Sequence, residues 1–413
     1  MPLTPWLSHY KTDFELARRR RAESIQFDGL RCEAFDRFLL VGFPPPGDDS
    51  WRSVDVTPIA GTCFTMGSKP PDAARATASD LSLHDACVEL VFGNGYLVTE
   101  RSRGALPNGA VAAPLASVLA SNGDELGAYF ARVARVDHLP LVALNTALFE
   151  DGAAILVPPR TTIDRPIHVR FVSTGETDAQ PAMSQPRVLV VLGERSRATV
   201  IESYDGPDGI DYLTNGVTEV VLGNGAALDH YALQAESAAA YVTAATHVIA
   251  GSDATYTSNA IALGGAFARS ETVVTLGGER AACTLNSFSM AADDRLVNAH
   301  TVIDHAVANS LSRVRERSVL VRGARAVFSG RTIVQPGSQQ ARARHVARML
   351  MSRDAILETT RRVAVEQLPD DDPATRVQVI RRFTREALNR VYVPSLRTRI
   401  EQLFERYLER GYA

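Results

Sequence analysis

Between residues 151 and 335 the sequence is broken into short apolar runs, "AAILVP", "IHVRFV", "RVLVVLG", "TEVVLG", "THVIA", "ETVVTLG" and "RSVLVRG", each separated from the next by Gly, Asn, Asp or Ser. No 3.6-residue stripe extends through them, so they read as strands of about five residues joined by tight turns. Aligning them on the alanine that enters a strand gives Ala198, Ala227, Ala254, Ala282 and Ala308, at intervals of 29, 27, 28 and 26 residues, then a step of 18 to Ala326. A loose period of about 27 residues is what one coil of a β-solenoid requires, two or three short strands and their turns. The expected fold is mainly β: a parallel β-helix core, right-handed because crossovers between parallel strands take that hand. A metal-dependent barrel enzyme would gather its His and carboxylate ligands, whereas here nine His are scattered and only His300 and His305 are close. A sandwich would show clearer paired hairpins.

Before this region the texture differs. Phe14, Leu16, Ile25, Leu30, Phe35, Phe38 and Leu39 lie among charges and predict two short helices over residues 9 to 40, ended by "GFPPPGDDSW". Residues 65 to 85 have the composition of a mobile surface loop. "ACVELVFGNGYLVTERS" reads as a hairpin around Gly93-Asn94-Gly95, and a helical patch is expected near 123 to 135. The expected division is 1–150, a helical and mixed N-terminal domain; 151–340, the β-helix core; and 341–413, a helical C-terminal domain.

The stretch "AVFSGRTIVQPGSQQARARHVARML" is where the strands are expected to stop. A stack of coils ends in an edge of unpaired N–H and C=O groups, which has to be covered or paired with another chain. Residues 340 to 413 read as helical, with Asp372 as N-cap and Pro373 in the first helical position. Ile380, Phe383, Ala387, Leu388 and Val391 form one apolar face, continued after Pro394 by Leu396, Ile400, Leu403, Phe404, Tyr407 and Leu408. Such stripes either pack on the β-helix or dock a partner. Phe383, Leu388, Val391, Leu396 and Leu403 are the candidate partner or domain contacts.

Signals of chemistry are few. There is no GxxxxGK[ST] phosphate loop, GxSxG elbow or HExxH helix. Asp293, Asp294 and Asp304 are the carboxylates that a polysaccharide-active β-helix enzyme would use, though adjacent Asp residues read more simply as a turn. His300, Asp304 and His305 do not share one strand face, which argues against a common metal ion. Cys32, Cys63, Cys87 and Cys283 are 31, 24 and 196 residues apart, without a CxxC pair. A disulfide framework, zinc site or iron–sulfur site built from this chain alone is not expected. Lys11 and Lys69 are the only lysines among 44 basic residues, an arginine bias spread along the chain and read as background composition. The net charge of −3 gives no reason to expect nucleic acid or an anionic membrane as partner. No run reaches the ~20 apolar residues a membrane span needs, and the first residues lack a signal-peptide core, so a cytoplasmic place is expected.

Against this background "LNTALFEDGAAILVPP", "PRVLVVLGERSRATVIESY", "LDHYALQAES", "IDHAVANSLSRVRERSVLVRGARAVFSGRTIVQPGSQQARARHVARMLMS" and "FTREALNRV" resemble the SufD-type subunit of the SUF iron–sulfur cluster assembly scaffold. The most specific part is the order Asp304, His305, Ser310, Gly330, Arg331, Val334, Pro336, Gln339 and the closing "LMS". The resemblance implies a non-catalytic scaffold that pairs with a SufB-like subunit through the β-helices and docks a SufC-like ABC-type ATPase through its C-terminal helices. ATP hydrolysis would belong to that ATPase, and a cluster would be present only transiently, in the complex. One departure stands out: after "MLMS" the chain lacks the family's "CSHGAT" segment, and no cysteine follows Cys283. The family histidine associated with the cluster has no counterpart here and is not reassigned to His345. Other readings are a SufD-like paralogue without a cluster role and a homodimer closing its own β-edge.

Overall fold

The computed structural model describes residues 5–20, 25–44, 48–70, 81–102, 106–137, 139–174, 180–369 and 372–409. The short runs are strands, each parallel to the strand one coil further on, so that two sheets rise together. In the first sheet Arg187–Leu192, Tyr212–Leu222, Tyr241–Ala250, Phe267–Leu276, Leu296–His305 and Arg325–Val334 follow one another. In the second the order is Arg197–Asp205, Ala227–Ala235, Thr255–Ala262, Ala282–Ala292, Leu311–Val321 and Arg342–Met351. The molecule is therefore mainly β, a parallel solenoid of about six coils with helices before and after it.

The alanine period has a local cause. Arg197, Ala227, Thr255, Ala282, Leu311 and Arg342 stand in register, 27 to 31 residues apart. Two residues before each lies a left-handed residue: Arg195, Gly225, Asp253, Arg280, Asn309 and Gln340, with φ between 54° and 70°. This conformation swings the chain round the corner, and the residue that follows points inward. Ser196, Ala226, Ala254, Ala281 and Ser310 occupy that inside corner and are fully buried. Of the anchors chosen from sequence, Ala254 lies in this column and Ala198, Ala227, Ala282 and Ala308 fall within two residues of it, while Ala326 belongs to the opposite sheet. Between the sheets, Val190, Val220, Val248, Val274 and Ile303 stack in register, each at most 1 % exposed.

The N-terminal residues fold over the first sheet. Pro5–Arg20 and Ile25–Val41 are the two helices expected, and Val88–Gly93 with Tyr96–Ser102 the hairpin. Pro140–Leu148 is held to the sheet by Asn145, whose Nδ2 donates to the carbonyls of Pro186 (2.8 Å) and Asn215 (2.7 Å). Beneath it the buried Arg187 guanidinium donates to Glu219. Glu219 also accepts the N–H groups of Ala131 (2.9 Å), Val133 and Ala134 (both 3.0 Å). A buried pair tolerates desolvation only when its remaining lone pairs are occupied in this way.

Three local expectations are corrected. The helical patch lies earlier, at Leu115–Leu126. Residues 65 to 85 are not simply a surface loop: Thr65–Met66 is a strand paired with Ala182–Met183, and Leu81 and Leu83 are buried, while 71–80 lie outside the described residues. Residues 341 to 369 are not helical. Arg342–Met351, Ile356–Thr359 and Val363–Gln367 are strands that extend the solenoid, and the helices begin at Pro373. In "RARHVARMLM" Arg342, Arg344, Val346 and Arg348 point outward while Ala343, His345, Ala347 and Met349 take the inward column, a period of two rather than 3.6.

Candidate functional site

The solenoid does not end evenly. Ile356–Thr359 covers Arg325–Val334 only from Arg325 to Phe328, and Val363–Gln367 covers Arg342–Met351 only from Ala347 onward. Among the described residues no strand lies beyond Ser329–Val334 or Arg342–Val346. The backbone N–H of Arg342 donates inward to Ser310 O (2.9 Å), so alternation places the N–H of Ala343 on the free side. Val334 (56 % exposed), Val346 (39 %), Ile356 (51 %) and Val365 (49 %) crowd this end with exposed apolar surface.

The motif residues Asp304 to Gln339 build the corner leading to that edge. His305 is buried, its Nδ1 at 2.7 Å from Ser310 Oγ and its Nε2 at 2.9 Å from Ser312 Oγ. Burial depresses its pKa despite neighbouring Asp304. Ser338 Oγ and the Gln335 N–H donate to the His305 carbonyl, and Gln335 Nε2 donates to Asp304 (3.0 Å). Gly330 has φ 151°, and a Cβ there would meet Thr301 O at 2.0 Å, so the strand admits only glycine at this step. His300 faces the other way and bonds Ser329 Oγ at 2.8 Å, its pKa lowered by burial. The inward His345 is 2.8 Å from the buried Glu316 carboxylate.

His300, Asp304 and His305 are thus not brought together, and among the described residues no three His, Cys, Asp or Glu side chains are grouped to hold a metal ion. Asp293 sits in a turn at φ 59° and is held 2.9 Å from Arg322 Nε. Burial pushes the Cys283 thiol up to about 12 and raises that of Cys87, which disfavours the thiolate either would need as a ligand.

The helices Pro373–Leu388 and Pro394–Glu409 lie on the second sheet. Asp372 caps the first through the N–H groups of Ala374 and Thr375 (both 3.0 Å), with Pro373 in the first turn. Phe383, Leu388, Val391 and Leu396 are buried, and together with half-buried Leu403 they join a cluster with Ile201, Tyr231, Ile261, Phe288 and Val319 of the solenoid. The stripe makes contacts within the chain, and the opposite faces of the two helices remain outward. Arg317 and Arg348 both reach Glu386 at 3.1 Å and flank the Phe383 ring at 5.5 and 5.6 Å.

Comparison with known proteins meets this geometry. A family model described as "SUF system FeS cluster assembly, SufBD core domain" matches residues 171–360, and one described as "SufBD protein N-terminal region" matches 5–169. The chain belongs to the SufBD family. A SufBD family protein of iron–sulfur cluster assembly from Synechocystis is 26 % identical over 336 residues, 78 % of this chain and 72 % of the relative. The iron–sulfur cluster assembly protein SufD of Escherichia coli is 24 % identical over 319 residues, 77 % and 70 % of the two chains. Protein ABCI7, chloroplastic, of Arabidopsis thaliana is 29 % identical over 208 residues, 49 % of this chain and 43 % of its own. As a SufBD family member the chain has a role in SUF iron–sulfur cluster assembly, as the SufD-like segments of its sequence indicated. Missed from sequence were the last strands and the arginines that project from them, although the Arg-x-Arg spacings at 313–317 and 342–344 carry the strand period.

Proposed function

We propose that this chain is a non-catalytic scaffold subunit that pairs, through the open end of its solenoid, with a SufB-like β-helix subunit and docks a SufC-like ABC-type ATPase through the outward faces of its C-terminal helices. The observation that carries the reading is the uncovered edge at Ser329–Val334 and Arg342–Val346, where backbone groups await a second chain. The stripe of Phe383, Leu388, Val391, Leu396 and Leu403 acts by seating the helix pair rigidly, so that its outward side is presented in a fixed orientation. A cluster is cargo of the assembled complex, formed transiently and not held by this chain alone; the raised thiol pKa values of Cys87 and Cys283 support that reading. The cytoplasm suits a chain whose four cysteines are all unpaired.

Co-expression with SufB-like and SufC-like proteins of the same source, followed by mass determination and an ATPase assay, tests this. A three-component complex with stimulated ATP hydrolysis is expected. Ala343→Pro, which removes one N–H from the free side and none from the ladder within the chain, is expected to weaken pairing while moving the stability of the chain alone by about 1 kcal/mol or less. A chain that stays alone, or forms only a homodimer and leaves the ATPase unchanged, overturns the adaptor reading.

A further inference from the structure

On the outward face of the second sheet, at the open end, Arg313 stands in register beside Arg344, with Arg315 and Arg342 two residues away along their strands. Arg390, just past the first C-terminal helix, closes the group, since it and Arg315 line the same crevice between helix and sheet. Like charges gather here without relief: burial, then Arg390, Arg313 and Arg344, depress the Arg315 guanidinium. It makes one hydrogen bond among the described residues, a long one to Asn286 Oδ1 (3.4 Å). Among the described residues no carboxylate pairs with Arg313, Arg342, Arg344 or Arg390.

Elsewhere several surface arginines of the solenoid and its helices have acids facing them. Arg280 pairs with Asp253 at 2.6 Å, Arg322 with Asp293 at 2.9 Å, Arg381 with Glu405 at 2.6 Å and Arg397 with Glu401 at 3.2 Å. Background composition accounts for arginine in place of lysine, but not for five of them gathered, without a counter-ion among the described residues, on two adjacent coils and the turn beside them. The free edge beside them adds a second property. Arg342, Arg344 and Val346 project outward at a spacing of two residues, about 7 Å, from a segment with no strand beyond it among the described residues.

We infer that this patch receives an extended, acidic segment of the partner subunit, one that adds as a strand along Arg342–Val346 and places carboxylates at alternate positions against the arginines. The inference rests on the reading of the open end as the subunit interface and specifies the chemistry of what sits there. A polypeptide fits better than a nucleic acid on three counts. Its backbone satisfies the edge groups, Val346 (39 % exposed) and Tyr392 (73 % exposed) offer apolar contact between the charges, and the basic surface spans two adjacent coils rather than a long groove. Guanidinium–carboxylate pairs at such an edge fix register and partner choice and speed association.

The test uses the full chain and its SufB-like partner, titrated at low and high salt. The variant R313E/R342E/R344E/R390E is expected to bind on the order of a hundredfold more weakly at low salt, while the matching Arg→Lys variant keeps most of the affinity. Added salt should weaken the wild type steeply and the reversed variant hardly at all. R344E alone, expected to bind about tenfold more weakly, serves if the multiple variant does not fold. Pairing that charge reversal leaves unchanged overturns the inference and spares the scaffold reading; a wild type that does not pair overturns both. A labelled single-stranded oligonucleotide bound by the wild type and released by the reversal would assign the patch to phosphate instead and also overturn it.

Discussion

The two ends of the solenoid are built by opposite rules. At the first coil each sheet stops on an antiparallel strand: Tyr96–Ser102 folds back on Val88–Gly93, and Val111–Pro114 lies against the strand Gly152–Val157. Leu97, Leu106 and Ala110 pack over the interior there. At the last coil the closing strands are shorter than those they cover, and among the described residues five to six residues of each sheet lack a strand partner on that side. A protein that seals one edge and leaves the other exposes that second edge to pairing, and the contrast teaches that the exposed end is where an interaction is to be sought.

The difference predicts unequal costs. Phe92, fully buried at the sealed end and stacked on Phe171 at 5.2 Å, is expected to lose about 3–5 kcal/mol on replacement by Ala, measured by urea unfolding. Phe383→Ala, which empties the seat of the C-terminal helices, should cost a similar amount and also free the helix pair. Protease cleavage appearing between residues 368 and 394 would report that release. A small effect of Phe92→Ala would mean that the first coil is not the closed cap described here.

Between the ends, the interior carries titratable groups whose balance depends on how well it stays dry. Burial pushes Glu236 up to about 8 from an ordinary 4.5, against the hydrogen bonds it accepts from Thr214 and Gln234 and with Asp205 raising it further. A carboxyl that keeps its proton longer in the native state than in the unfolded chain contributes fully below pH 4.5, and that contribution is lost as pH rises toward 8. The loss is on the order of 4 kcal/mol across this window. Comparing Glu236→Gln with wild type at pH 5 and pH 8 isolates it: the variant should lose much less stability over the interval. Parallel pH profiles for the two proteins would show water reaching Glu236 and the coils there to be open as well.

How much of this was legible in the sequence follows the same divide. Where coils repeat, the small buried residue at each corner, such as Ala226 or Ala254, leaves a mark at fixed spacing, and the solenoid could be read from it. The C-terminal stripe was also plain, because Ile380, Phe383 and Leu388 share one helical face. Which surface the stripe covers was not legible, since that depends on Phe288 and Val319 arriving from strands far away in sequence. Residues 342 to 351 misled because arginine and alanine favour helices, whereas pairing with Leu311–Val321 decides the conformation. The unpaired arginines were invisible for a related reason: sequence shows that Arg344 is basic, and only register shows that its neighbour is Arg313.

At the open end the expected effects shrink. Gly330→Ala puts a methyl group against Thr301 O in a backbone that only glycine adopts readily, and a loss of about 1–3 kcal/mol is expected, with faster hydrogen exchange confined to Ser329–Val334. The smallest effect belongs to Val346→Ala. Its side chain projects, 39 % exposed, from an edge with no strand beyond it among the described residues, so the stability of the chain alone should move by about 0.5 kcal/mol or less. The same substitution should weaken pairing with a SufB-like subunit severalfold, because the exposed part of the side chain becomes buried when a second strand is added. A Val346→Ala chain that unfolds more easily on its own would show that this edge is already covered within the molecule, and the two ends would then differ in sequence only.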